Sequence, residues 1–234
     1  MLRSRIIPCL LVHRKGLVKT VNFREPKYVG DPINAVKIFN EKEVDELIVL
    51  DIDATKEKRG PDFTLIRNLA AECRMPFCYG GGISSVEQAR KIISLGAEKV
   101  ALSSAVIDDP LLCKEIGNAV GVQSVVVVLD VRKRKLLGGY DIFTHNGKVK
   151  SKRKFKEFVV ELNTIGVGEI VVNSIDNDGK MTGYDMELAT LVRDLCDTPI
   201  TVIGAAAGSL FVFKGKYKAV LINYPNRVEK FPLY

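Results

Sequence analysis

Seven segments of the chain are almost continuously apolar and rich in β-branched residues. They read RIIPCLLV (5–12), ELIVLDI (46–52), PFCYGG (76–81), KVALSS (99–104), SVVVVLDV (124–131), EIVVNSI (169–175) and PITVIG (199–204). Such unbroken runs are typical of parallel strands covered on both faces. Six amphipathic stretches of helical periodicity lie between them, some opened by capping signals such as Asp31-Pro32 and Ser84-Ser85. This alternation predicts one α/β domain over residues 1–234, a (β/α)8 TIM barrel.

The chain also repeats itself. The segment that starts IVLDIDATKEKRGPDF at Ile48 resembles the segment that starts IVVNSIDNDGKMTGYD at Ile170. Each has an apolar strand, an acidic cluster, a helix start and a strand led by proline. The sequence therefore predicts two half-barrel copies, in which Leu11 and Asp130 occupy equivalent positions at the ends of the first and fifth strands.

The spacing is irregular after the seventh strand. No helical stretch lies between Ile203 and the segment AVLINYP (219–225), and IGAAAGSLFVF (203–213) resembles an eighth strand that follows directly. Two explanations stay open: a locally irregular barrel, or the absence of about 20 residues around the seventh βα unit of a fold that normally needs ~250.

The sequence also predicts an insertion after the fifth strand. The segment KLLGGYDIFTHNGKVK (135–150) carries turn signals at Gly138-Gly139 and Asn146-Gly147, which predict a hairpin above the carboxyl ends of the strands. The basic run KVKSKRKFK (148–156) is interpreted as the start of the next helix.

Composition narrows the chemistry. Five cysteines without a CxxC pair and two histidines offer no zinc-ligand spacing and no disulfide framework, so no metal or other cofactor is expected and a reduced cytoplasmic location is predicted. No apolar run has the ~18 residues of a membrane span. The net charge of +7 favours an anionic partner. A phosphorylated small molecule is favoured over nucleic acid, because the basic run lacks interleaved aromatic residues.

Several residues at predicted strand ends can bind phosphate. The turns GGGIS (80–84) and GAAAGS (204–209) can present backbone N–H groups at a helix start. The pairs Ser103-Ser104 and Asn173-Ser174 could add hydrogen bonds to phosphate or merely cap helices. The candidates are Gly81, Gly82, Ser103, Ser104, Gly208 and Ser209, with Asn173 and Ser174 as further possibilities. Asp130, at the end of a valine-rich strand, is predicted to be partly desolvated and to serve as a general acid or base.

Together, the motifs RIIPCL, GDP, ELIVLDI, PFCYGGGI, GAEKVALSSA, QSVVVVLDV, GVGEIVVNSIDNDGKMTGYD and PITVIG make residues 1–210 resemble the cyclase subunit of imidazole glycerol phosphate synthase. The resemblance implies a barrel that binds a glutaminase subunit at its N-terminal face. It also implies that ammonia passes through the barrel to a phosphorylated substrate. An ammonia gate of four charged residues is implied at Arg5, Glu46, Lys99 and Glu169. Positions near the catalytic face are matched by Lys19, Asp51 and Asp176.

One catalytic position departs from that family. The family uses two aspartates as acid and base; Asp130 matches the second, whereas Leu11 stands at the first. Three hypotheses follow. The chain is a diverged subunit that delivers ammonia for amidotransfer onto a sugar in surface-polysaccharide biosynthesis, with a sugar amidotransferase as a further partner. Alternatively, it is a histidine-pathway cyclase that works with Asp130 alone, or a non-catalytic scaffold that activates the glutaminase.

Overall fold

The computed structural model describes residues 5–136, 138–180, 182–203, 213–214, 219–220 and 222–230. Its strands are β1 (Cys9–His13), β2 (Gly16–Val21), β3 (Arg24–Gly30), β4 (Leu47–Asp51), β5 (Phe77–Gly80), β6 (Lys99–Leu102), β7 (Val125–Lys133), β8 (Tyr140–Thr144), β9 (Val149–Lys154), β10 (Glu169–Ser174), β11 (Ile200–Ile203), β12 (Phe213–Lys214) and β13 (Ala219–Val220). Its helices are α1 (Pro32–Glu41), α2 (Phe63–Glu72), α3 (Val86–Ser94), α4 (Ser104–Asp108), α5 (Leu111–Val120), α6 (Phe155–Ile165), α7 (Met186–Leu195) and α8 (Arg227–Lys230). A 3-10 turn spans Val122–Ser124. In the described part of the chain, no helix has the length and hydropathy to span a bilayer.

All seven predicted strands are present and pair in parallel. Their order in the sheet is β1-β4-β5-β6-β7-β10-β11, which is also their order along the chain. Each of the first six is joined to the next through at least one helix that packs outside the sheet. The first strand begins at Cys9, four residues later than the apolar run indicated.

The sheet is strongly curled. Arg5, just before β1, bonds Glu169 at the start of β10 with an N–O distance of 3.2 Å. In a flat sheet these strands would lie five spacings apart, about 24 Å. Interior side chains from all seven parallel strands meet in one apolar layer. Its members are Ile7, Cys9, Ile48, Cys78, Ala101, Val126, Val128 and Val171, with Leu11, Leu50 and Ile203 packed against them. The predicted barrel is thus confirmed for seven strands.

Helix starts follow the predicted capping signals. Asp31 accepts a hydrogen bond from the amide of Asn34 in α1, and Ser85 accepts one from Gln88 in α3. In the two repeated segments, Asp62 and Asp185 cap α2 and α7 in the same way. The short helix α4 before α5 was not predicted.

Two antiparallel hairpins extend the sheet. The one after β7 was predicted, but it includes β9, so the interpretation of residues 148–156 as a helix start was wrong. Backbone pairing with β8 satisfies these residues, and α6 begins only at Phe155. The hairpin of β2 and β3 after β1 was not predicted. Its turn places Asn22 and Phe23 at φ of 50° and 60°, and the connection from β1 to β2 places Arg14 and Lys15 at 47° and 66°. Asn22 was the available signal for the turn, whereas Arg14 and Lys15 give none.

The last described segment, residues 222–230, packs against the N-terminal ends of β1 and β4. The Tyr224 hydroxyl donates to the carbonyl of Ile6 at 2.8 Å and accepts from the amide of Asp45 at 3.1 Å. Asp45 also pairs with Lys230 at 2.7 Å. Because Ile6 and Asp45 adjoin Arg5 and Glu46, this segment fixes the backbone that carries two predicted gate residues.

The Tyr224 hydroxyl is expected to contribute to stability. Tyr224→Phe leaves the Asp45 amide and Ile6 carbonyl without that partner and should cost about 1–2 kcal/mol of unfolding free energy. Urea unfolding checks this, with Tyr28→Phe as control because Tyr28 is 67% exposed. Equal effects of the two substitutions would contradict the assignment.

Candidate functional site

A cavity of about 150 Å³ opens at the carboxyl ends of the parallel strands. Its wall contains eight of the predicted site residues: Lys19, Asp51, Gly81, Gly82, Ser103, Ser104, Asp130 and Asn173. Ser174 and Asp176 do not line it, and Gly208 and Ser209 lie outside the described residues. Apart from Lys19 on β2, these candidates come from five neighbouring parallel strands, β4, β5, β6, β7 and β10, as the barrel interpretation requires.

Asp130 is the acid–base candidate. Its carboxylate accepts a hydrogen bond of 3.0 Å from the Asn173 side chain on β10. Desolvation by the surrounding protein raises the pKa of Asp130 to about 7, with a contribution from the charge of Asp178, while the Asn173 bond opposes the shift. Near neutral pH both protonation states are populated, so this group can donate or accept a proton.

Leu11 occupies the matching place in the first half of the barrel. Asp130 is the register partner of Asn173 on β10, and Leu11 is the register partner of Leu50 on β4. Both leucines line the cavity. The first half thus presents two apolar side chains where the second half presents a carboxyl–amide pair.

Lys19 and Asp178 face the same cavity. Lys19 is 8% exposed, and burial lowers its pKa to about 8 although Cys9 and Asp178 oppose the shift. Asp178 accepts from the Thr20 hydroxyl at 2.7 Å and from the Phe23 amide at 2.9 Å. Burial dominates over these bonds and raises its pKa.

Asp178 was missed as a site residue although it stands in the acidic cluster after β10. The resemblance matched Asp176, but that side chain is 44% exposed and accepts from the Lys133 amide at 3.0 Å. Gly179 (φ +70°) lets the loop touch β2, since a Cβ there would lie 2.1 Å from the Thr20 carbonyl oxygen. That glycine, directly after Asp178, was the available signal.

Asp51 organises the loop after β4. Its carboxylate accepts two bonds from Arg59, at 2.7 and 2.9 Å, and others from the amides of Asp53 and Ala54. Gly82 packs against this loop so closely that a Cβ would lie 2.4 Å from the Arg59 carbonyl oxygen. The glycine turn and Asp51 therefore support each other at one side of the cavity.

The two serines begin the turn into α4. Ser103 precedes the helix but makes no side-chain capping bond. The capping alternative is therefore wrong for Ser103, and both serines line the cavity.

The four predicted gate residues form a closed ring at the other end of the barrel. Arg5 bonds Glu46 and Glu169, and Lys99 lies 2.8 Å from Glu46 and 2.9 Å from Glu169. Both glutamates are 3% exposed. Burial acts to raise the pKa of Glu169, but Thr201, Lys99 and Arg5 hold it below its ordinary value.

The interior between the ring and the cavity is apolar. Cys9, Ala101 and Val128 belong both to the inner apolar layer and to the cavity wall, so the layer forms the floor of the cavity. Along the barrel axis, the described residues therefore form a charged ring, then an apolar layer, and then the cavity.

Comparison with known proteins gives one consistent family. Residues 5–210 match the family described as "Histidine biosynthesis protein". The chain is 55% identical to the "Putative imidazole glycerol phosphate synthase subunit hisF3" of Vibrio vulnificus, over 98% of this chain and 96% of that protein. It is 48% identical to the corresponding HisF-named protein of Leptospira borgpetersenii over the whole of both chains. It is 38% identical to the "Imidazole glycerol phosphate synthase subunit HisF" of Lactococcus lactis, over 87% and 79% of the two chains.

The Leptospira alignment spans 253 positions and covers all 234 residues of this chain, which leaves 19 positions without a counterpart here. Both explanations of the spacing after Ile203 stay open.

The raised pKa of Asp130 predicts a pH-dependent cost. The folded protein holds this proton up to about pH 7, whereas the unfolded carboxyl releases it near 3.8, so Asp130 progressively lowers stability between those values. Asp130→Asn should therefore stabilise the protein more at pH 8 than at pH 5 in urea unfolding.

Asp45→Asn provides a control of opposite sign. Despite burial, bonds from the Ile6 amide and Lys230 lower the pKa of Asp45, so its contribution is already complete at pH 5. This variant should lose the same stability at both pH values. An Asp130→Asn effect that does not change with pH would contradict the assignment.

Removing the charge of Lys99, which contacts both glutamates of the ring, is expected to lower the free energy of unfolding strongly. Lys99→Met leaves Glu46 and Glu169 facing each other with only Arg5 to balance them, and should cost about 3–5 kcal/mol. Lys37→Met is the matched control, because the Lys37–Glu72 pair is 3.6 Å long and exposed, and should cost under about 1 kcal/mol. Urea unfolding compares them, and similar costs would show that the ring is not a coupled unit.

Proposed function

The chain belongs to the histidine biosynthesis protein family, and on that premise we propose that it is an imidazole glycerol phosphate synthase-type cyclase subunit of a glutamine amidotransferase complex. We further propose that it has given up ring closure and delivers ammonia from a glutaminase partner to another acceptor. The observation that carries this proposal is the combination of an intact charged ring with the Leu11–Leu50 pair at the cavity.

The ring and the apolar layer are suited to neutral ammonia. An ammonium ion would lose its hydration in the apolar layer at a large free-energy cost, whereas ammonia carries no charge to desolvate. Glu46 and Glu169 offer carboxylates at the entrance, where an incoming cation can be held and can release a proton. Cys9, Ala101 and Val128 then line the way into the cavity.

The cavity is poorly suited to a reaction that needs two proton-transfer groups. Asp130 supplies one, and leucine can neither accept nor donate a proton at the other position. Loss of one such group typically lowers a rate about 10²–10⁴-fold. The amide that supports Asp130 is also absent from the first half, since Leu50 stands where Asn173 stands in the second.

The acceptor is expected to be anionic. Residues 132–156 contain ten lysines and arginines and a single aspartate, so this segment alone exceeds the net charge of +7 of the whole chain. Its turn reaches the cavity through His145 and Asn146, and Asn146 donates to the Ile52 carbonyl at 3.0 Å. Together with the turn at Gly81 and Gly82, this surface favours a phosphorylated acceptor. We propose a sugar for surface-polysaccharide biosynthesis as that acceptor.

A second candidate function is favoured by Asp130 itself. Because its pKa lies near 7, one carboxyl group can serve successively as acid and base, as a histidine-pathway cyclase with a single aspartate would need. Such an enzyme would convert the phosphoribulosyl formimino precursor with ammonia at a measurable rate.

The test is ammonia-dependent turnover of that precursor by the purified chain. We expect the wild-type rate to lie about 10²–10⁴-fold below that of a variant with Leu11→Asp and Leu50→Asn, because the double substitution recreates the Asp130–Asn173 arrangement. Leu11→Asn with Leu50→Asn is the control, since it adds polarity without a group that transfers protons. Wild-type turnover equal to that of the double variant would contradict the proposed loss of ring closure and favour a histidine-pathway cyclase with a single aspartate.

A further inference from the structure

Lys19 is a buried amine to which no described residue makes a hydrogen bond or a contact ion pair. It is 8% exposed and lines the cavity, and only the charges of Cys9 and Asp178 act on it from a distance. The nearby carboxylates are engaged elsewhere: Asp178 with Thr20 and Phe23, and Asp130 with Asn173. A lysine held this way in a cavity needs an explanation, because burying its charge unpaired is costly.

We propose that Lys19 is a nucleophile that forms an imine with the carbonyl carbon of a phosphorylated sugar in the cavity, and that ammonia arriving through the barrel displaces it. The second step rests on the proposed function; the first does not. Lys19 and Asp130 line one cavity with Ser103 and the turn at Gly82, so amine, proton donor and phosphate-binding groups face a common space.

The chemistry balances without an oxidant or reductant. The Lys19 nitrogen attacks the carbonyl carbon, and the oxygen leaves as water with one proton from protonated Asp130 and one from the attacking nitrogen. Ammonia adds to the carbon of the resulting iminium ion. A proton passes from the ammonia nitrogen to the Lys19 nitrogen, and the bond from carbon to lysine nitrogen breaks. The protonated imine of the sugar then returns a proton to Asp130 and leaves as the neutral imine. The net change is carbonyl plus ammonia to imine plus water.

Leu11 fits this role. The titratable groups that face the amine across the cavity are Cys9, Asp51, Asp130, His145 and Asp178. A carboxylate at position 11 would add a negative charge to this set and favour the ammonium form of Lys19. Leucine avoids that, and burial lowers the pKa of Lys19 to about 8, which leaves about a tenth of the amine neutral at pH 7.

The test is borohydride trapping with ribulose 5-phosphate as the probe, read by intact mass and peptide mapping. We expect one adduct on the peptide that contains Lys19. Because the step needs neutral Lys19 and protonated Asp130 together, its initial rate should rise about fivefold from pH 6 to pH 7, stay near its maximum up to pH 8 and fall above that pH. Exposed lysines should instead continue to react faster up to about pH 10. Because the map locates the adduct in the wild-type chain, the result does not depend on the folding of any variant.

Variants sharpen the test. Lys19→Arg should abolish the adduct, while Lys27→Arg, on the exposed neighbouring strand β3, should leave it unchanged. Leu11→Asp should lower the trapping rate at pH 7 about tenfold or more, and Leu11→Asn should not. Adducts spread over exposed lysines, or an unchanged yield in Lys19→Arg, would overturn the proposal.

This outcome is separable from that of the proposed function. Trapping at Lys19 together with rapid wild-type ring closure would support the imine but contradict the proposal that the chain has lost ring closure. If no adduct is trapped and ring closure is also absent, Lys19 is not the nucleophile, and the proposal of ammonia delivery still holds.

Discussion

The charged ring at the base of the barrel constrains the rest of the structure. Glu46 and Glu169 are almost fully buried, so each requires a cation, and the cations come from strands that would be remote in a flat sheet. Only a curled sheet lets Arg5 and Lys99 each bridge both carboxylates. The segment around Tyr224 adds to this by bonding the residues next to Arg5 and Glu46. The pairing of the two buried glutamates therefore depends on the curvature of the barrel and on the position of the last described segment.

The cavity at the opposite end shows how two similar halves came to differ. Both halves start with a strand that continues into a hairpin, and both place one residue in register with the next barrel strand. In one half that register joins Asp130 to Asn173; in the other it joins Leu11 to Leu50. The first half thus packs two apolar side chains together and leaves no unpaired polar group at this register position, whereas the second half holds a hydrogen-bonded carboxyl and amide.

Much of this architecture could be predicted because its causes are local. Apolar runs and caps such as Asp31 and Ser85 identify strands and helix starts without knowledge of distant contacts. The connection from β1 into the hairpin of β2 and β3 could not be found this way, since Arg14 and Lys15 adopt left-handed φ values that strand pairing imposes. The choice between Asp176 and Asp178 likewise depends on the loop resting on Thr20, a contact across 158 residues. The gate residues were found through family resemblance, because single charges at strand starts have no local signature.

Leu11 changes meaning once Lys19 is considered beside it. Taken alone, the leucine is a loss relative to the family pattern, since it cannot transfer a proton. Beside the buried amine of Lys19 it also changes the electrostatics of the cavity, because a missing anion favours the neutral form of the lysine. Asp130 complements this change, as its pKa near 7 allows it to protonate a departing oxygen at the pH where the amine begins to be neutral. Where the family has two catalytic carboxylates, this cavity therefore has one, Asp130, and the amine of Lys19. An amine and a single acid are suited to carbonyl chemistry with ammonia.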